Sequence, residues 1–106
     1  MKFIISGRNI EVTESLKTAI NDKLGKLERF FAKDVEAKVT LSVEKNRQKV
    51  EVTIPVKGGV IRGEQTSSDM YVAIDLVEEV LESQLKKYRT KIIDRYQGGA
   101  QLAESY

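Results

Sequence analysis

The side chains with the clearest chemical potential in this sequence are clustered lysines and arginines. The last part of a long helical pattern carries five of them against a single carboxylate, Asp94, whereas the first half of the same pattern carries only acidic charges. Phosphate groups are natural partners for such a cluster, because each phosphate neutralised releases condensed counterions. The alternative is that this polarity complements the helix dipole, at about 0.3–1 kcal/mol for each charge near a terminus. The basic residues are Lys86, Lys87, Arg89, Lys91 and Arg95.

Two further segments place cations where they could join this cluster. One is the flank of an earlier helical pattern, from which Arg29 points outward, and the other is the tip of a predicted hairpin. Helix ends and hairpin tips are shapes that can enter RNA grooves or clefts, so three basic segments together predict RNA binding. An ordinary solvated surface remains the alternative. The residues concerned are Lys23, Lys26 and Lys33 on the helix and Lys45, Arg47 and Lys49 at the hairpin.

Catalytic and metal-binding chemistry has little support in the sequence. The chain contains no histidine and no cysteine, which removes the commonest proton shuttle and the thiolate metal ligand. Asp75 and Glu79 stand one helical turn apart and could share a cation, but no third ligand converges on them. Ser67 and Ser68 have the character of capping residues rather than nucleophiles. We therefore predict no enzyme activity, no metal site and no cofactor.

Aromatic residues add little to the RNA prediction. Phe31, Tyr71 and Tyr88 lie on or beside apolar helix stripes and are assigned mainly to the core. Phe30 and Tyr96 could stack on a base, although core packing is the favoured interpretation for both. The sequence therefore predicts no aromatic platform for bases.

The first elements that must position the cations are a strand and a helix. A short, mostly apolar run from Lys2 to Ser6 predicts an opening strand. Thr13 can cap a helix whose apolar residues recur at helical spacing, and Gly25 inside it destabilises it by roughly 1 kcal/mol without ending it. The apolar residues of this helix are Leu16, Ile20, Leu24, Leu27 and Phe31.

Three strands and a long helix complete the predicted fold. Apolar and polar residues alternate over 35–43 and 50–56, which predicts an antiparallel hairpin, and a further strand covers 60–66. Ser68 or Asp69 can cap a helix with an apolar stripe from Met70 to Ile92. The order β-α-β-β-β-α predicts an α+β fold, in which a four-stranded mixed sheet carries both helices on one face. The first two strands should be parallel neighbours joined by a right-handed crossover.

Length and composition limit the class of protein. A chain of 106 residues suits one domain, and 41% hydrophobic with 32% charged residues supports a packed core. The net charge is only +2, so the distribution of charge must carry the argument for RNA. No apolar run has the length of a signal peptide or a membrane span, which predicts a soluble, cytoplasmic protein without a membrane partner.

Five segments resemble bacterial ribosome hibernation-promoting factors and ribosome-associated inhibitors, with the long form as the nearest in appearance. The segments GRNIEVT (7–13), LSVEK (41–45) and KVEVTIP (49–55) come from the first part of the chain. DMYVAID (69–75) and QLKKY (84–88) are similar to the second helix of that family. The resemblance covers about residues 1–96, with Gln48 standing where many relatives have histidine.

The resemblance implies a fold similar to that of double-stranded-RNA-binding domains. It also implies binding to the small ribosomal subunit and its rRNA in the decoding cleft, with obstruction of mRNA and of A- and P-site tRNA, and no small-molecule substrate. General binding of double-stranded RNA and protein interaction through the open sheet face remain alternatives. The residues implied as rRNA contacts are Lys23, Lys26, Lys86, Lys87, Arg89 and Lys91, followed by Arg8, Lys45 and Arg47.

The resemblance also bears on domain organisation. Residues 1–96 are expected to form the ribosome-binding domain, and residues 97–106 a flexible tail or the start of a linker. Long members of the family carry a second domain that pairs two ribosomes, so pairing is expected only if such a domain follows. The chain could be a naturally short factor or the N-terminal domain of a long one.

Overall fold

The computed structural model describes residues 1–31 and 34–96, with only the backbone described for 89–96. No helix in these ranges has the length and apolar character needed to cross a membrane. The element order confirms the predicted β-α-β-β-β-α arrangement, with one short additional 3-10 helix. The elements are β1 (Lys2–Arg8), α1 (Glu14–Leu24), the 3-10 helix (Gly25–Phe30), β2 (Glu36–Glu44), β3 (Arg47–Val56), β4 (Gly59–Ser67) and α2 (Met70–Tyr96).

The four strands form one mixed sheet in the order β1-β2-β3-β4. β1 and β2 are parallel, with Ile5 opposite Val39, and the remaining neighbours are antiparallel. The β2–β3 hairpin closes with Glu44 opposite Arg47, so its turn consists of Lys45 and Asn46 alone. Lys45 has a φ of 54°, as the first position of such a tight hairpin turn requires.

Both helices cover the same face of the sheet, as predicted. Alternate residues of β2 and β3 point into the core, and one stripe of α2 packs over them. Gly63 of β4 lies under that helix, where an added Cβ would stand 2.9 Å from Cδ2 of Leu81. Close approach of α2 to β4 therefore requires glycine at this position. The fully buried side chains of this layer include Val39, Leu41, Val50, Val52, Ile54, Ile74, Val77, Leu81 and Leu85.

The first helix is shorter than predicted. The α-helix ends at Leu24, and Gly25 begins a 3-10 helix, so the expectation that the α-helix would continue through Gly25 was wrong. Leu24, Leu27 and Phe30 are buried at intervals of three residues, which is the period of a 3-10 helix. Phe30 therefore takes the core position that α-helical spacing assigned to Phe31, and Phe31 is only partly buried.

Side chains cap both long helices. The Thr13 hydroxyl accepts a hydrogen bond from the Leu16 amide at 3.2 Å, and the Asp69 carboxylate accepts one from the Tyr71 amide at 2.8 Å. Of the two caps considered for α2, Asp69 is therefore the one that contacts the helix. The Tyr71 side chain is 46% exposed, so its assignment to the core was wrong. It lies on the flank of α2 beside the buried stripe rather than on it.

Candidate nucleic-acid interface

The candidate cations lie in two groups, one at the end of the sheet that holds the β2–β3 turn and one spread along the helix layer. Arg8 ends β1 beside Ser42 of β2, so it lies at the same end as the β2–β3 turn. α2 begins at that end and runs away from it, and near the other end the Tyr88 hydroxyl donates to the Lys57 carbonyl. At about 1.5 Å per residue, Asp75, which pairs with Lys23, lies roughly 8 Å along α2 from Met70, whereas Lys86 lies roughly 24 Å along it. The helical group is therefore spread along the helix layer, and its basic end on α2 is the part that lies farthest from the β2–β3 turn.

The first group, here called the helix-layer cations, lies on α1, the 3-10 helix and α2. The Lys23 ammonium lies 3.1 Å from Asp75, and the Lys86 ammonium lies 3.6 Å from Glu82. Arg29 also forms an ion pair with Glu82, which thus joins the 3-10 helix to α2. The helix-layer cations are Lys23, Lys26, Arg29 and Lys86, and their acidic neighbours, the α2 carboxylates, are Asp75, Glu78 and Glu82.

The pKa values of two α2 carboxylates move in opposite directions. The pKa of Glu78 is raised by burial and by the neighbouring Glu82, against a smaller lowering effect of Lys26. At Glu82, burial acts to raise the pKa, but the positive charges of Lys86 and Arg29 outweigh it and hold the pKa below 4.5. The lowered pKa keeps Glu82 ionised near neutral pH, so acidic charge lies among the helix-layer cations.

Arg29 was absent from the residues that the sequence proposed as RNA contacts. Its guanidinium carbon lies 4.9 Å from the centroid of the Phe30 ring, and its side chain remains 55% exposed. An ion pair and a cation–π contact together fix the position of this group while leaving part of it open to solvent. In the sequence, Arg29 could be recognised only as a cation outside the apolar stripe of the first helix. The 3-10 spacing that turns its side chain toward Glu82 was not predicted.

The second group, here called the sheet-end cations, consists of Arg8, Lys45 and Arg47. All three are exposed, and none forms an ion pair with any residue that the structure describes. Lys49, which sequence analysis placed at the hairpin tip, instead lies 3.2 Å from Glu51 and 3.3 Å from Glu64. Hydrogen bonds to these two carboxylates raise the pKa of Lys49. Lys49 is thus paired with carboxylates on the open sheet face and does not belong to the sheet-end cations.

The remaining candidates divide between described and undescribed side chains. Lys87 is exposed on α2, while the side chains of Arg89 and Lys91 lie outside the described residues. Lys33, named with the first helix, also lies outside them. Across the part of the chain that the structure describes, no three acidic residues cluster in a way that could hold a metal ion. The described chemistry consists of exposed cations, which suit reversible contacts with phosphate, and of carboxylates that pair with some of these cations.

A four-stranded sheet with two helices on one face and exposed cations at both ends defines a small α+β domain with two potential phosphate-binding groups. The chain belongs to the family described as Sigma 54 modulation protein / S30EA ribosomal protein, whose model matches residues 3–93. This match covers nearly all of the described residues and both groups of cations.

Individual relatives agree with the family match. The chain is 47% identical over 95 residues to the ribosome hibernation promotion factor of Lactococcus lactis subsp. cremoris, covering 87% of this chain and 51% of the relative. It is 39% identical over 98 residues to the ribosome hibernation promoting factor of Azotobacter vinelandii, covering 92% of each. The chain thus spans about half the length of some curated relatives and almost all of another.

A solved structure supports the same fold. The N-terminal domain of Thermus thermophilus Protein Y matches with a TM-score of 0.75 and 33% sequence identity, covering 83% of this chain and 99% of that domain. The predicted α+β architecture and the family resemblance are both confirmed by these findings. The RNA contacts of individual residues remain predictions.

Proposed function

We propose that this chain is a ribosome hibernation factor that binds the decoding cleft of the small ribosomal subunit and blocks mRNA and the A- and P-site tRNAs. The observation that carries the proposal is the similarity, over most of the chain, to relatives named ribosome hibernation promotion factors. Translation would then stop by occupation of the channel, in the cytoplasm, and without any chemical step. The proposal assigns no enzyme activity, cofactor or small-molecule substrate to the chain.

The exposed cations supply a physical mechanism for this binding. Lysine and arginine contacts to rRNA phosphates release counterions, which favours association and makes the affinity depend on salt. Because the helix-layer cations lie on the helical face and the sheet-end cations lie around the β2–β3 turn, the two groups would contact separate segments of rRNA. Two separated contacts fix the orientation of a rigid domain better than one, and a fixed orientation is needed to block a channel.

The proposed rRNA contacts come from both ends of the domain. On the helical side they extend along α2 past the described side chains, and on the sheet side they surround the β2–β3 turn. Ribosome pairing is proposed only if a second, C-terminal domain exists in the full-length protein, because the resemblance assigns that role to such a domain. The proposed contacts are Lys23, Lys26, Lys86, Lys87, Arg89 and Lys91 on the helical side and Arg8, Lys45 and Arg47 on the sheet side.

A competition experiment tests the proposal. Labelled chain is sedimented with purified small subunits, and mRNA with initiator tRNA is then added in increasing amounts, with large subunits as the control particle. The proposal predicts selective co-sedimentation with small subunits and loss of the chain as mRNA and tRNA bind. Retention of the chain on fully occupied subunits would contradict the blocking mechanism.

Two alternative functions are separated by further measurements in the same preparation. A general double-stranded-RNA-binding module would be displaced from subunits by free duplex RNA at comparable phosphate concentration. A protein-interaction module would associate with itself or with other proteins through the open sheet face and show no affinity for RNA. That face carries Lys38, Thr40, Glu51 and Thr53, which are exposed or half-buried as predicted.

A further inference from the structure

The sheet-end cations and the helix-layer cations differ in their acidic surroundings. Within the described residues, Arg8, Lys45 and Arg47 form no ion pair. In the helix layer, Asp75 holds Lys23 and Glu82 holds both Arg29 and Lys86, while Lys26 acts on Glu78. Three carboxylates on one helix therefore face cations contributed by three elements.

We infer that the α2 carboxylates Asp75, Glu78 and Glu82 are specificity-determining residues, which hold the helix-layer cations in one arrangement that fits the rRNA site and disfavours other RNA. This inference rests on the proposed function and deepens it. It assigns a role in RNA recognition to acidic residues, whereas the sequence pattern pointed only to basic ones.

The donor capacity of the cations allows them to bind carboxylate and phosphate together. A guanidinium presents five N–H donors in a planar fork, and an ammonium presents three. Arg29 can therefore keep its ion pair with Glu82 and its contact with Phe30 while its remaining donors face a phosphate. On a matching rRNA surface, the ion pairs need not break when the domain binds.

On an RNA of different shape, the same carboxylates oppose binding. The cations would have to leave their carboxylate partners to follow the new phosphate positions, and phosphates placed elsewhere would approach ionised carboxylates directly. Like charges brought together in this way select against the wrong partner, even when they add nothing to affinity for the right one. The carboxylates thereby lower the affinity of the domain for other RNA more than its affinity for the matching rRNA surface.

Folding stability alone does not require this arrangement. The side chains of Lys23 and Asp75 are 45% and 51% exposed, and exposed ion pairs contribute little to stability. The burial of Glu82 is greater, with its side chain 25% exposed, and Glu82 also lies between two cations. Among the described carboxylates of α2, Glu82 is thus the one that forms ion pairs with two cations.

The test compares two variants that carry the same net charge. The first changes Asp75→Asn, Glu78→Gln and Glu82→Gln, and the control changes Glu36→Gln, Glu51→Gln and Glu64→Gln, which removes acidic charge from the open sheet face. Affinities of each for a free RNA duplex and for purified small subunits are measured across a range of salt, with folding checked by circular dichroism. Glu82→Gln alone serves as a milder variant if the triple variant does not fold.

The inference predicts that the first triple variant binds free duplex about tenfold more tightly than the wild-type chain, with a salt dependence steeper by about one counterion. Its affinity for small subunits should stay within about threefold of wild type, and the control should gain much less on duplex. A parallel gain on both RNAs, or an equal gain by the control, would overturn the inference while leaving the proposed function intact. If the wild-type chain fails to bind small subunits, the proposed function fails and the inference fails with it.

Discussion

The ammonium of Lys23 lies 3.1 Å from the carboxylate of Asp75, across the interface between α1 and α2. This ion pair connects the last turn of the first helix to the acidic half of the second, where the buried stripes of both helices already pack against the sheet. The charges of the two helices therefore form one surface of fixed geometry. The effect of a substitution on RNA binding should therefore depend on its position in this surface and not only on the net charge of the chain.

The basic part of α2 should contribute directly to subunit binding. We expect the triple change of Lys86, Lys87 and Arg89 to glutamine to weaken binding to small subunits and to flatten its salt dependence by about one counterion for each phosphate that is no longer neutralised. The measurement is affinity as a function of salt. A control with Lys17, Lys38 and Lys57 changed to glutamine removes equal charge elsewhere, and equal weakening by both variants would show that only total charge matters.

The sheet-end cations should act independently of the helix-layer cations. Changing Arg8, Lys45 and Arg47 to glutamine is expected to weaken subunit binding, and the resulting change in binding free energy should add to that of the α2 variant within about 0.5 kcal/mol. Additivity follows because Lys86 lies roughly 24 Å along α2 from Met70, whose end of the sheet holds Arg8, Lys45 and Arg47. Additivity is measured from the subunit affinity of a chain that carries both the sheet-end substitutions and the α2 substitutions. A combined effect well below the sum would mean that both groups reach the same RNA segment.

Close packing of α2 on β4 makes Gly63 a sensitive position. A Cβ there would stand 2.9 Å from Leu81 Cδ2 and 3.2 Å from Val77 Cγ2, so Gly63→Ala should destabilise the fold by about 1–3 kcal/mol. Urea unfolding measures this destabilisation. Gly59→Ala is the matched control in the same strand, because nothing lies within 4 Å of an added Cβ there. Equal stability of the two variants would show that the helix can move away at no cost to the fold.

Glu82 should make stability depend on pH in the acidic range. Its folded-state pKa lies below 4.5, so its ion pairs stabilise the fold above that value and are lost as the pH falls through the folded pKa. The raised pKa of Glu78 acts in the opposite direction. Glu82→Gln should therefore lower the Tm near neutral pH, and its difference from wild type should shrink as the pH falls below about 4.5 and through the lower pKa of folded Glu82. If the difference in Tm between the variant and wild type does not change with pH, the effect arises from packing and not from the charge of Glu82.

The strands and the second helix could be predicted because their patterns allow only one arrangement. Alternation from Ala37 to Leu41 and from Val50 to Ile54 permits only one face to be buried, and the structure buries that face. In α2, residues from Met70 to Leu85 at helical spacing define the buried stripe in the same way. The hairpin, the sheet order and the side on which the helices lie follow from these patterns.

The 3-10 helix and the ion pairs could not be predicted in this way. Leu24 and Leu27 are three residues apart, which fits both an α-helix and a 3-10 helix, and the α-helical interpretation put Phe31 rather than Phe30 on the buried stripe. Arg29 and Glu82 are 53 residues apart in the chain and meet only because two helices pack side by side. Periodicity indicated which residues are exposed, but tertiary packing decided which charges neutralise each other.

The most direct test of the central claim is the structure of the small ribosomal subunit with this chain bound, determined by cryo-electron microscopy. The account predicts density for the domain in the decoding cleft, overlapping the mRNA path and the A and P sites, with the helix layer and the β2–β3 turn against rRNA backbone. Density outside the cleft, or a bound domain whose open sheet face alone contacts the subunit, would contradict it.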